Sequence, residues 1–467
     1  MLQLNLILNA DSDTPLYRQL YNSLAQGIRR GELAPGTRLP GKRSLAAELG
    51  ISVNTVDTAY QMLTAEGFVD SRPRSGFVVQ DSGELVTGEE AAPTQTGAAP
   101  LPLPRYRWDL STAQIATDLF PARTWQRIQR ELLYRPEALL GPGRSGGEWE
   151  LREQLAQYLA AYRGVTCQPE QVIIGAGVEY LLALLAGLLP EAIGAVEDPG
   201  YSRARIILEN NGVPCRLVPV DEGGLSIRAL QASGASLCYV TPSHQFPTGV
   251  TMPVGRRAEL LRWAAHSPDR YIIEDDYDSE FRFDVRPLPS LQGMAGSGDR
   301  VIYLSTFSRC LAPGIRIAYM VLPQPLLTRY RARYGAYSCT VGRMEQLTLA
   351  RFMQQGDFTR HLGRMRSEYK RRRTALTEAL NRAFGEGRLQ LAGLHTGIHL
   401  LLSLPEGPGE AAMVSRAGAA GIRLAGLSEY YHADAGRCPP GTVVIGYGAL
   451  PCAESAALAA ELKRLWT

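Results

Sequence analysis

The chain has 467 residues, 45% of them hydrophobic, with 49 Lys and Arg against 46 Asp and Glu for a net charge of +3. That length and apolar content predict two or more folded domains and exclude a disordered or highly charged polypeptide, so any nucleic-acid partner has to be argued from where the basic residues sit. The seven cysteines are scattered, with no C-x-x-C pair or zinc-ligand spacing, which fits a reducing cytoplasm and leaves no metal site to expect.

The opening residues, MLQLNLILNADSD, lack a basic stretch and a cleavage site, and no apolar run in the chain is long enough to span a bilayer. Neither export nor membrane insertion is expected. The stretch PLYRQLYNSLAQGIRRGEL then sets Leu16, Leu20, Leu24 and Ile28 on one face, with Gly31 after a basic last turn, predicting an amphipathic helix. A short helix around Ser44 to Leu49, the turn Gly50-Ile51, and Ser52 as N-cap of a helix carrying Val56, Ala59, Tyr60 and Leu63 follow. FVD and GFVV flank SRPRS as a small hairpin. This is the order of a winged helix-turn-helix.

A helix placed in the major groove would present Ser52, Asn54 and Thr55 to base edges and phosphates, while Lys42, Arg43, Arg72 and Arg74 reach the backbone or minor groove. The plainer alternative is a structural module whose charges are merely solvated. The segment LPGKRSLAAELGISVNTVDTAYQMLTAEGFVDSRPRSGFVV resembles the GntR-type DNA-binding domain over essentially its whole length. It departs at Val53, where that family often carries arginine, so a contact there is not carried over.

From Gly83 to Pro104 the sequence is rich in Pro, Gly, Thr and Ala without apolar periodicity, which predicts a linker. The organisation expected is a DNA reader over 1–80, a linker over 81–104 and a large domain over 105–467. In that last part QVIIGAG, AIGAVEDP, ASLCYVTP, RYIIEDDYD and VIYLSTFS have the composition of short buried strands, and VEYLLALLAGLL and RRAELLRWAA that of helices between them. Such alternation predicts an α/β domain with a mainly parallel central sheet, whose ligands sit at the carboxyl ends of the strands.

GPGRSGGEWELREQLAQYL, IIGAGVEYLLALL, EDPGYSRAR, VTPSHQFPTG, IIEDDYDSEF and STFSRCLAPGIRIAY occur in the order of a fold-type I aminotransferase. With the reader attached, the whole chain resembles the MocR/GabR group of transcriptional regulators, and GAGVEYLL is closest to the PdxR subgroup. Physically, Gly175, Ala176 and Gly177 open a helix whose N-H groups could hold a phosphate, Thr306 and Ser308 add hydroxyls, and Arg316 adds a charge-assisted pair. The resemblance implies Asp275 on the nitrogen of pyridoxal phosphate, Tyr277 on its ring oxygen and Tyr201 stacked on the ring. It also implies a homodimer with a domain-swapped arrangement.

One residue breaks the pattern. The loop STFSRCLAPGIRIAY carries Arg309 where such enzymes carry the lysine that condenses with the cofactor aldehyde. A guanidinium stays protonated and forms no such bond. The only lysines, Lys42, Lys370 and Lys463, belong to the reader, a charged helical run and the C-terminal segment. No catalytic residue is therefore assigned, and pyridoxal phosphate, if bound, is expected to be held non-covalently with Arg309 in the site. The expected function is an operator-binding regulator that senses a B6 phosphate or related small anion. A ligand-independent DNA-binding dimer, with Arg309 filling a repurposed pocket and paired to Asp275, stays open, as does a pyridoxal-phosphate-dependent aminotransferase.

Overall fold

The computed structural model describes residues 8, 9, 12, 14–72, 76–81, 105–134, 136–284, 288–296, 299–385, 387–433 and 435–467. The linker expected over 81–104 and Arg74 lie outside these residues, apart from Asp81, and Arg72 is described by its backbone alone. The chain divides into two compact units, Met1–Leu103 and Pro104–Thr467.

In the smaller unit, α1 (Leu16–Arg29) buries Leu20, Leu24, Ala25 and Ile28, the stripe its spacing predicts. α2 (Lys42–Leu49) opens at Lys42 rather than Ser44, because Gly41 is extended and Lys42 already turns with the helix. Gly50, at φ +65°, ends it in the left-handed conformation that glycine adopts at little cost. Ser52 caps α3 (Val53–Ala65) by accepting the Thr55 N-H at 3.1 Å. β1 (Val69–Arg72) pairs antiparallel with β2 (Gly76–Val79), and Val69 and Val79 join the buried helix residues in one core.

The larger unit begins with β3 (Trp108–Asp109) and continues through β4 (Val172–Gly175), β5 (Gly194–Asp198), β6 (Cys215–Asp221), β7 (Gly224–Leu225) and β8 (Leu237–Val240). β9 (Tyr271–Asp275), β10 (Val301–Thr306) and β11 (Ala318–Val321) follow. Eight of these strands form one sheet in the order β4-β11-β10-β9-β8-β5-β6-β7. The run from β10 through β9, β8 and β5 to β6 is parallel, while β11 is antiparallel to both its neighbours. Strands such as LCYV and YIIED are buried at every position, as expected when helices cover both faces.

A second, four-stranded sheet joins β12 (Gln390–Ala392), β13 (His399–Ser403), β15 (Ala425–Gly426) and β16 (Thr442–Gly446), and β14 (Ile422–Arg423) pairs with β3. The architecture is the α/β one expected, with a mostly parallel central sheet. Among the described residues, no helix is long and apolar enough to cross a membrane.

Candidate ligand cavity and DNA-reading helix

A cavity of about 360 Å3 opens where β4, β8, β9 and β10 end, and its walls include Gly177, Tyr201, Asp275, Tyr277, Thr306, Ser308, Arg309 and Arg316. Chain reversal at the carboxyl ends of parallel strands exposes side chains at one rim, which is why motifs far apart in sequence meet here. None of the lysines lines it.

Asp275 ends β9. Its Oδ2 accepts the Tyr239 hydroxyl, whereas Oδ1 is buried with no hydrogen-bond partner among the described residues. Burial pushes this carboxyl up to about 7, with Asp276 and Asp278 adding to the shift against the Tyr239 hydrogen bond and the charge of Arg309. Arg309 does not pair with Asp275, so the salt-bridged form of the repurposed-pocket reading is corrected: its Nη1 donates to the Thr112 carbonyl instead. The segment after β3 runs close enough to capture the guanidinium.

At the other end, the helix Val178–Leu188 begins after Gly177, whose φ of +98° only glycine tolerates readily. A Cβ at Gly177 would lie 2.3 Å from the Arg316 guanidinium. Arg316 has φ +56°, the one positive φ of a non-glycine residue among the described residues, which turns its side chain toward that helix start. There it donates to Glu179 Oε2 at 2.9 Å and to the Ala176 carbonyl at 3.3 Å.

The expectation that N-H groups of Gly175 to Gly177 point at a phosphate needs correction. The Ala176 N-H donates to Thr340 Oγ1 at 3.0 Å and the Gly177 N-H to the Gly175 carbonyl at 2.9 Å, while Gly175 is enclosed by Leu181 and Tyr180. The turn itself and Thr340 consume these two donors. Those without intrahelical partners begin at Val178, which lines the cavity with Glu179. Thr306 and Ser308 lie 2.9 Å apart through their hydroxyls on the same rim.

Tyr201 forms an aromatic wall with Phe246, their ring centroids 6.1 Å apart, and Tyr430 packs on Phe246 at 5.1 Å. The Tyr277 hydroxyl lies 3.0 Å from His244 Nδ1, which also bonds Asp278 at 2.9 Å. His399, from β13, packs against His244 with the rings tilted and their centroids 4.6 Å apart. The donor atoms of His244, Asp278 and His399 all lie within 4.8 Å of one another, a grouping that no local spacing in the sequence announced.

In the smaller unit, Arg43 on α2 and Ser52 and Asn54 at the start of α3 are exposed, and Thr55 is half-buried. Ser52 and Thr55 are also tied hydroxyl to hydroxyl at 2.8 Å. Lys42 is less available than expected, being ion-paired with Asp57 and lying 5.0 Å over the Phe77 ring. Val53, 44% exposed, stands beside Asn54 where an arginine was the alternative.

The family model for bacterial regulatory proteins of the gntR family matches residues 16–79, and that for class I and II aminotransferases matches residues 110–417. The chain is 38% identical to the HTH-type transcriptional regulator YdeL of Bacillus subtilis across 98% of both chains. It is 33% identical to the probable rhizopine catabolism regulatory protein MocR of Rhizobium meliloti, across 95% of this chain and 92% of the relative. The chain belongs to the MocR-type family of GntR transcriptional regulators.

This MocR-type regulator is equally close, at 33% identity over 95% of its chain and 94% of the relative, to the pyridoxine biosynthesis regulator PdxR of Corynebacterium glutamicum. Identity therefore does not separate the PdxR subgroup from MocR itself. In fold, its larger unit is similar to Pyrococcus horikoshii kynurenine aminotransferase, solved with PMP, at a TM-score of 0.67 and 25% identity over 78% of this chain and 91% of that one. Glu179, Tyr239, Phe246, Tyr430 and Thr112 are among the cavity residues that the sequence did not single out. Glu179 and Phe246 stood inside quoted motifs, while Tyr239 has the signature of a core strand and Tyr430 and Thr112 lie in stretches without one.

Proposed function

We propose that the regulator binds operator DNA through residues 1–80 and senses a B6 phosphate, or a related small anion, in its larger unit without catalysing transamination. On this reading 81–104 is a linker, 105–467 is the effector unit, and the chain acts in the cytoplasm as a homodimer. The observation that carries it is the cavity's charge pattern: a buried carboxylate oxygen of Asp275 without a partner, and Arg309 where a condensing amine would stand. An orphaned buried acceptor costs about 1–3 kcal/mol unless something donates to it, so the pocket suits a ligand that brings a donor.

The residues fit pyridoxal phosphate. Asp275 would take its ring nitrogen, Tyr201 and Tyr277 its faces and ring oxygen, and the Val178–Leu188 helix start with Thr306, Ser308 and Arg316 its phosphate. The group supplies electrophilic chemistry only when an amine condenses with it, and Arg309 withholds that amine.

Titrating the full-length protein with pyridoxal phosphate is expected to give a reversible absorbance change that borohydride does not fix. The Arg309→Lys variant should acquire a borohydride-fixed adduct at position 309. Covalent trapping at a lysine of the unaltered protein, or a folded Arg309→Lys variant with no cofactor band, would overturn the reading. Operator binding to the DNA flanking its own gene, measured with and without pyridoxal phosphate, separates a sensor from a ligand-independent dimer.

A further inference from the structure

Resting on the B6 reading above, we propose that the cavity selects a heteroaromatic ring bearing an anionic oxygen substituent, a carboxylate above all, at the position opposite its protonated nitrogen. In B6 compounds that is the 4-carboxylate form rather than the aldehyde or the aminomethyl form.

Asp275 and Arg309 share one cavity as two poles with no ion pair between them. Asp275 is fixed by Tyr239 and keeps Oδ1 free, so it accepts from a ring N-H. Arg309 is anchored through one nitrogen to the Thr112 carbonyl, and no carboxylate among the described residues lies within ion-pair distance of it. A guanidinium has five N-H donors in a planar fork, which leaves donors uncommitted here. Its permanent charge also reaches Tyr201, Tyr277, Tyr430 and His399, each of whose ionisation it biases, so it stands among the walls that would enclose a ring.

A ligand spanning these poles needs a donor at one end and an anion at the other. Tyr201 and Phe246, packed edge to face, form one aromatic wall of the cavity, a surface that suits a flat ring laid against it. Opposite Arg309, a carboxylate pairs charge to charge through a two-pronged hydrogen bond, an aldehyde offers only one uncharged acceptor, and an ammonium is repelled. Charge-assisted bonds of this kind correspond to roughly ten- to hundredfold in affinity. The loop that holds an amine in the enzymes would thus hold the oxidised, unreactive form of the same ring.

Calorimetric titration of the full-length protein with 4-pyridoxic acid 5'-phosphate, pyridoxal phosphate, pyridoxamine phosphate and inorganic phosphate tests this. The carboxylate is expected to bind about tenfold or more tighter than the aminomethyl compound, and Arg309→Gln should shrink that ratio to about twofold or less. Equal affinities, a preference for the amine, or an undiminished preference in a folded Arg309→Gln protein would overturn the inference and leave the B6 reading standing. Should that variant fail to fold, the ratio in the unaltered protein decides alone. If no ring compound binds better than inorganic phosphate, the B6 reading falls, and this inference with it.

Discussion

Glu179 and Arg316 meet at 2.9 Å at the open start of the helix Val178–Leu188, so on the proposed function the cation that would take the ligand's phosphate already holds a carboxylate. Burial pushes the Glu179 carboxyl up, but its own backbone N-H, Arg316 and Arg203 outweigh that and hold it below the usual range. A phosphate arriving here has to displace or share this carboxylate. Replacing Glu179 with Gln should therefore tighten binding of a phosphate-bearing ligand by about three- to tenfold, with a larger gain at low ionic strength. Calorimetry at two salt concentrations checks it, and unchanged affinity would place the phosphate elsewhere.

The raised pKa of Asp275 has a sign that can be followed in both stability and binding. Its carboxyl is near 7 in the folded chain because of burial, against about 4 unfolded, so the folded state favours the neutral form. Stability from this group is lost as pH rises through that window. Asp275→Asn should raise Tm by an amount that grows between about pH 4 and about pH 7 and then levels off, while abolishing the rise in affinity for a cationic ring nitrogen over the same range. A pH-independent difference in Tm would show that Asp275 titrates in the fold as it does in the unfolded chain.

On the DNA side, Asn54 and Arg43 should separate sequence preference from general affinity. Asn54→Ala is expected to relax preference among operator variants by about 1–3 kcal/mol, whereas Arg43→Ala should weaken all sequences alike and reduce the salt slope by about one. Anisotropy titrations across salt concentrations distinguish them. Unchanged binding in both variants would move the interface off α3.

Beneath the cavity, Asp276 Oδ2 accepts from Arg163 Nε at 2.6 Å, from Tyr303 at 2.5 Å and from Ser279 at 2.8 Å, with both charged partners buried. Burial would push this carboxyl up, yet Arg163 and these donors pull it below the usual range. Its stabilisation is present at neutral pH and lost as pH falls below the ordinary carboxylate range. Asp276→Ala leaves Arg163 buried without its counter-charge and should cost about 3–5 kcal/mol in urea unfolding at neutral pH.

The local pattern carried much of this molecule. Leu20, Leu24 and Ile28 at helical spacing and the Ser52 cap were legible because both are set by neighbours in the chain. The strands ending in Asp275 and Thr306 were legible from their unbroken apolar runs. What stayed hidden depends on partners far away in sequence: Thr340 taking the Ala176 N-H, Thr112 taking Arg309, and His399 of one sheet packing on His244 beside another. No periodicity reports which segment crosses which rim, and a turn written Gly-Ala-Gly does not reveal whether its N-H groups are spent internally.

The absence of lysine from the cavity walls has a kinetic meaning. A covalently held ligand leaves only after a chemical step, so its bound fraction lags behind supply and records the past. With Arg309 at that rim, on the proposed function, a ligand would come and go by diffusion and desolvation alone. Occupancy would then follow the present concentration of free ligand, and the regulator would respond without memory.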